Sequence, residues 1–166
     1  MELDTAQHEV TIALAGLEDA GELLTLQRAA YATEARIYGD PELPALVQTL
    51  QELRAELGLV AALKATAGHR IVGAVRANVE GDVLHVGRLT VAPDWQGRGV
   101  GSRLLTAVED HHGGAAETAT LFTGHLSAGN LAMYARRGYT EDHREQLRPG
   151  VELVHLTKSL RRPSGP

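Results

Sequence analysis

The chain has no cysteine in its 166 residues, which excludes a disulfide framework, a thiolate nucleophile and cysteine-ligated zinc. Aromatic residues are scarce, with one Phe, one Trp and four Tyr, so the core must be built from aliphatic side chains. No run approaches the ~18 apolar residues of a membrane-spanning helix. The opening MELDTAQHEV lacks the basic start and apolar stretch of a secretory signal, and the expected location is the cytoplasm. Lysine is nearly missing: of 16 basic residues, all but Lys64 and Lys158 are arginine. Arginine suits bidentate phosphate contacts, and the codon bias of a GC-rich genome yields the same preference. The net charge of −5 and pI of about 5.9 do not supply the basic surface on which nucleic-acid affinity rests.

Several catalytic signatures are also absent. No Gly-Lys pair exists for a P-loop, and no G-x-S-x-G elbow marks a serine hydrolase. His111-His112 are adjacent, about 100° apart on a helix, and lack the i,i+4 spacing of a metal pair. No metal is expected; a charge at a helix C-terminus explains them.

What is present is an ordinary globular pattern, 43% apolar and 22% charged. The spacing of apolar residues predicts a strand at 10–14 and a helix over 17–31. A second helix is expected over 41–57, with Asp40 as N-cap, Pro41 at its first position and Gly58 closing it. Strands at 59–65, 70–79 and 83–91 follow, the last interrupted by Gly87, which marks a bulge or a close backbone approach. A helix over 99–112, a strand at 117–122, a helix over 130–137 and a closing pair at 139–147 and 151–160 complete the chain. The fold class is therefore a mixed α/β sandwich, α+β in its mixed sheet, with the order β-α-α-β-β-β-α-β-α-β-β. It forms a single domain over residues 8–160, with residues 161–166 as a flexible tail.

The informative stretch is Leu89-Thr90-Val91-Ala92-Pro93-Asp94-Trp95-Gln96-Gly97-Arg98-Gly99-Val100-Gly101-Ser102. A strand runs into a turn with glycines at alternate positions, and the turn opens an amphipathic helix. Bare backbone lets several N–H groups face one anion, and the helix dipole adds to them, so the turn is a seat for a phosphate or pyrophosphate. Arg98 and Arg103 can add charge. A dinucleotide fingerprint fits poorly, because Ser102 stands where its third glycine belongs.

The run Gln96-Gly97-Arg98-Gly99-Val100-Gly101 instead resembles the coenzyme A-binding motif of the GCN5-related N-acetyltransferase (GNAT) family. A second block, from Ser127 through Asn130 and Tyr134 to Gly138-Tyr139, is similar to that family's later motif. The resemblance covers about residues 10–160 and implies the GNAT acyl-CoA N-acyltransferase fold and acetyl transfer from acetyl-CoA to a primary amine. It implies that Leu89, Thr90 and Val91 offer backbone groups to the pantetheine arm. The amides of Arg98, Gly99, Val100, Gly101 and Ser102 would hold the pyrophosphate, with Gln96 and Gly97 shaping the turn. Many members carry Asn where this chain has Ser127, and Asn130 is the preferred cofactor contact here. Tyr134 would protonate the departing thiolate.

The proton acceptor for the amine is less legible. His85, and Glu34 in a loop between the first helices, are the candidates, with His125 and His155 as further proton relays. Tyr31 and Tyr38 flank Glu34 and suit either an acceptor pocket or helix packing. A noncatalytic acyl-CoA-sensing module on the same fold is the alternative function, and a homodimer is a possible assembly. The acidic chain can attract a cationic acceptor, but no motif names one.

Overall fold

Residues 9–161 are described by the structure, a computed structural model. The chain opens with β1 (Val10–Leu14), a short 3₁₀ turn, and the helices α1 (Ala20–Tyr38), α2 (Pro44–Val47) and α3 (Leu50–Leu57). An antiparallel run follows, made of β2 (Ala61–Ala67), β3 (Arg70–Glu80) and β4 (Val83–Val91). Then come α4 (Val100–His111), β5 (Thr118–Gly124), α5 (Ala128–Arg136), β6 (Thr140–Arg148) and β7 (Val151–Ser159). The seven strands form one sheet in the order β1-β2-β3-β4-β5-β7-β6, as the mixed α/β reading expects. Every neighbouring pair is antiparallel except β4 with β5.

Two expectations about the N-terminal helices are corrected. The first helix does not stop near residue 31 but continues to Tyr38, where Gly39 adopts a left-handed φ of 61° and ends it. Glu34 is thus on a helix, not in a loop. The second helix does not begin at Asp40-Pro41. Asp40 instead accepts the Glu42 amide in a turn, Pro44 opens α2, and the hydroxyl of Thr49 accepts the Glu52 amide to cap a separate α3. The apolar spacing runs through both helices, so periodicity alone joined them.

The core is aliphatic, as the shortage of aromatics requires. Leu53, Leu84, Leu104, Leu105, Val72, Val75, Val108 and Val154 are its largest fully buried members. Helix α1, with α3 packed against it, covers one face of β3 and β4, and α4 covers the other; β3 is therefore buried on both faces. Arg76 on β3 anchors the first face. Its guanidinium donates to Gln27 of α1 and to Glu56 of α3, while Gln27 also donates to the Ala45 carbonyl of α2. A buried cation bonded through all three of its nitrogens holds these helices in one arrangement.

The expected bulge in β4 is present. Arg76 pairs with Gly87 and Ala74 with Thr90, so Arg88 and Leu89 together face the single residue Val75. The left-handed residue is not Gly87 but Arg88, with φ of 51°. Of the expected tail, residues 162–166 lie outside the described residues, as does His8 of the expected domain. Arg161 pairs with Glu117.

Candidate active site

Past the end of β4, the pair Arg70–Asp94, with contacts of 2.7 and 2.8 Å, pins the turn to the start of β3. Gln96 donates its side-chain amide to the Val91 carbonyl at 3.4 Å and closes the bend. Gly97 and Gly99 have φ of 76° and 80°, a conformation that any Cβ would strain. A Cβ at either position would meet nothing within 4 Å, so the space above the bend is open. No side chain caps α4, and its first bond runs from the Arg103 amide to the Gly99 carbonyl at 3.1 Å. The amides of Val100, Gly101 and Ser102 therefore have no partner within the helix and face outward at the positive end of its dipole.

Gly101 serves another need. A Cβ there would lie 3.1 Å from Met133 Sδ of α5, so its bareness lets α5 rest against α4. The flanking arginines are occupied elsewhere. The Arg98 guanidinium sits 4.7 Å over the Trp95 ring, and Arg103 donates to the Val10 carbonyl at 2.9 Å. Arg103 ties α4 to β1, and Arg98 stays beside the bend with its charge near Asp94.

Beside this bend the sheet opens. Strands β4 and β5 pair only over Val83–Thr118, Leu84–Ala119 and His85–Thr120. Beyond His85 they diverge, because β5 stays joined to β7 as far as Gly124. Thr90 and Val91 pair with β3 on one edge, so the edge of Leu89, Thr90 and Val91 toward β5 is a free main-chain edge lining a cleft. The Thr90 side chain is buried and donates to the Ala74 carbonyl, so Thr90 can address the cleft through its backbone only.

Tyr134 of α5 is buried, and its hydroxyl has no hydrogen-bond partner among the described residues. The hydroxyl that is both sealed from solvent and unpartnered belongs to Tyr139, whose ring centre lies 6.1 Å from that of Tyr134. Burial, with added repulsion from Tyr31 and Glu34, pushes the Tyr134 phenol well above the ordinary tyrosine range. It remains protonated at neutral pH.

Glu34 is held in a hydrogen-bond relay that the sequence did not reveal. The Leu126 amide donates to Tyr38 Oη at 3.0 Å, and Ser127 Oγ donates to Glu34 Oε2 at 2.7 Å. Tyr38 Oη and Ser127 Oγ are 2.7 Å apart, so Tyr38 must be the donor between them and every proton is used once. Tyr38 fits because Gly124 is bare; a Cβ there would overlap its hydroxyl. Ser127 is therefore tied to α1, while Asn130 donates to Thr123 Oγ1 at 3.3 Å at the end of β5.

His85 stands on the last rung before the strands part, exposed, with Nε2 3.6 Å from Glu80 Oε2. His125 and His155 are engaged structurally. The Glu152 amide donates to His125 Nδ1 at 3.0 Å, and His155 stacks on His143 at 4.3 Å with Nε2 3.1 Å from Glu145.

Residues 38–160 match the model of the acetyltransferase (GNAT) domain. This chain belongs to the GNAT acetyltransferase family. Three solved GNAT-type structures show how closely the fold is kept at low identity. PaiA N-acetyltransferase from Thermoplasma acidophilum, in complex with coenzyme A, is 17% identical with a TM-score of 0.78, over 91% of this chain and 99% of that one. The ribosomal-protein-S18-alanine N-acetyltransferase from Escherichia coli is 16% identical with a TM-score of 0.78, over 94% and 97%. YncA from Salmonella typhimurium, with acetyl-CoA, is 17% identical with a TM-score of 0.72, over 95% and 98%. Among curated proteins, UPF0157 protein YqkA from Bacillus subtilis (strain 168) is 26% identical over 134 residues. That alignment takes in 81% of this chain but only 38% of YqkA, so the GNAT chain spans well under half of that relative.

Within the GNAT fold, the bare bend and the free edge of β4 adjoin the parting of β4 and β5 at His85, and α5, which carries the buried Tyr134, rests against α4 through Met133 at Gly101. The residues missed in the sequence are Ser127 and Tyr38 as relay members, and Arg88. Tyr38 and Ser127 are 89 positions apart, and no local pattern couples them. Arg88 had a signal, its place directly after the strand glycine.

Proposed function

We propose that this protein transfers the acetyl group of acetyl-CoA to a primary amine. One observation carries the reading: an uncapped helix N-terminus behind two left-handed glycines opens at the mouth of a cleft between two diverging strands. Open space above the bend and three outward amides fit a diphosphate. The free edge of Leu89, Thr90 and Val91 fits an amide-bearing arm laid along it as an extra strand.

Bound acetyl-CoA supplies an activated acyl carbon and a thiol leaving group; the amine's N–H and the thioester's C–S are exchanged for an amide C–N and a thiol S–H. Tyr134 holds a proton that burial prevents it from losing to water, and it gives that proton to the sulfur. The opposing proton, from the amine, goes to His85 at the apex of the cleft or to Glu34 beyond it. Ser127 and Tyr38 position Glu34 and hold α1 against α5.

The test is calorimetric titration with coenzyme A and acetyl-CoA, followed by thiol release with a panel of primary amines. Saturable binding with amine-dependent thiol release supports the reading. Binding without turnover on any amine supports a sensing module in its place. No binding of either molecule overturns both.

A further inference from the structure

Arg88 is the one non-glycine residue with positive φ among the described residues. A left-handed arginine is strained where glycine would not be. What the strained backbone achieves follows from sheet geometry. Residues paired across neighbouring strands share a face, and residues along a strand alternate. Arg76 faces α1 and α3 and pairs with Gly87, while His85 pairs with Asn78, so Gly87 and His85 belong to that same face. Simple alternation would send residue 88 to the opposite face, under α4. The bulge turns it back instead, and the Arg88 guanidinium lies 5.9 Å over the Tyr31 ring of α1.

There it helps line a cleft of about 200 Å³ with His85, Phe122, Glu56 and Arg76. The charges of this cleft do not cancel. Glu56 is the carboxylate in it, and both its oxygens are taken: Oε1 by Arg76 at 2.9 Å and Oε2 by Gln48 at 2.8 Å. Arg76 is likewise matched by Glu56 and Gln27. Arg88 has no ion pair or hydrogen bond among the described residues. It lines the cleft together with Phe122, which is 56% exposed. The cleft is smaller than the ~300–1,000 Å³ of most ligand pockets.

We infer that the acceptor is a small amine that also carries an oxyanion, an amino acid or its phosphonate counterpart, and that Arg88 is its specificity-determining residue. A planar guanidinium binds a carboxylate or phosphonate through two parallel hydrogen bonds. With the oxyanion held at Arg88, the amine points along β4 toward His85 and the parting strands. This runs against the net acidity of the chain, which suggests a cationic acceptor. A small cleft is governed by its nearest unpaired charge, because charges farther than ~8–10 Å are screened. The inference rests on the acetyl-transfer reading above.

The experiment compares free amino acids of increasing size with their own carboxamides and aminophosphonates, by thiol release from acetyl-CoA. Wild type, Arg88→Met and Arg88→Lys are assayed, and acetyl-CoA affinity is measured in each. We expect the oxyanion-bearing amine to exceed its carboxamide by about 10- to 100-fold in kcat/KM, the scale of a charge-assisted hydrogen-bonded pair. In Arg88→Met that advantage is lost through KM with kcat nearly kept, Arg88→Lys recovers part of it, and acetyl-CoA binding is unchanged. Carboxamides or polyamines turned over as well as the acids, or an Arg88→Met loss equal for acid and carboxamide, overturns the inference and leaves acetyl transfer standing. Acetyl-CoA binding without turnover of any panel member also overturns it. Failure to bind acetyl-CoA removes the underlying reading as well.

Discussion

At the residue scale, the proposed transfer depends on a phenol that is hard to ionise. Burial raises the Tyr134 hydroxyl above the usual tyrosine value of ~10, so it keeps its proton throughout any practical assay. A raised pKa also makes it a weaker acid in water. The transfer to sulfur is favourable only because the thiolate would be desolvated in the same cleft, where a neutral thiol is preferred. Tyr134→Phe removes the proton and almost no volume. We expect kcat to fall by about 10²–10⁴-fold with acetyl-CoA affinity kept, measured by steady-state kinetics and calorimetry. The wild-type rate should show no alkaline decline below pH ~10 from this group, because its proton is lost only above that value. A rate unaffected by the substitution would assign the proton to solvent.

At the element scale, three alternate glycines serve two separate purposes. Gly97 and Gly99 provide a left-handed bend, whereas Gly101 provides clearance for Met133. Substitution by alanine separates them. Gly99→Ala should cost roughly 1–2 kcal/mol in backbone strain and weaken coenzyme A binding, since the amides after it are re-aimed. Gly101→Ala strains a packing contact, and Met133→Ala beside it should recover most of the lost melting temperature. Gly99→Ala should gain nothing from Met133→Ala. A double-mutant cycle on thermal unfolding measures this coupling, and equal rescue of both glycine variants would refute the division of roles. The same scale explains the cleft. The crossover from β4 to β5 through α4 makes their pairing parallel, and the bulge at Arg88 turns β4 away after His85.

At the scale of the whole molecule, ion pairs connect distant parts of the chain. Asp40, after α1, meets Arg148 at the end of β6 at 2.7 Å; Asp19, before α1, meets Lys64 of β2 at 2.8 Å. The Arg148 hydrogen bond, with that of the Glu42 amide, holds the Asp40 carboxyl below its ordinary value. For Asp19, burial pulls upward, and hydrogen bonds from Lys64 and the Gly16 amide outweigh it, so its carboxyl is lowered too. A carboxyl lowered by folding stabilises fully above its unfolded pKa of ~3.9 and loses that contribution as pH falls through the folded value. Melting temperatures of wild type and Asp40→Asn should therefore differ from neutral pH down to about pH 4 and converge below it. A constant difference across that range would show that the carboxyl does not act through its charge.

The sequence by itself determined the order of elements, the aliphatic core, the bare bend from Gln96 to Gly101 and the place of Tyr134. Each is a local signal: a period of two or of about 3.6, a glycine spacing, or a motif within one short segment. It also placed the bulge in β4 correctly, from a glycine interrupting a strand. It misplaced the starts and ends of the N-terminal helices, because apolar spacing continues through the break at Gln48-Thr49 and cannot register a cap made by a side chain. Tertiary structure alone decided that Ser127 and Tyr38 hold Glu34, that Arg103 is spent on Val10, and that Arg88 turns toward α1 with no ion-pair partner among the described residues. The hydrogen bonds among them join residues 89 to 93 positions apart, and charge in a cleft is set by which partners reach it, not by composition.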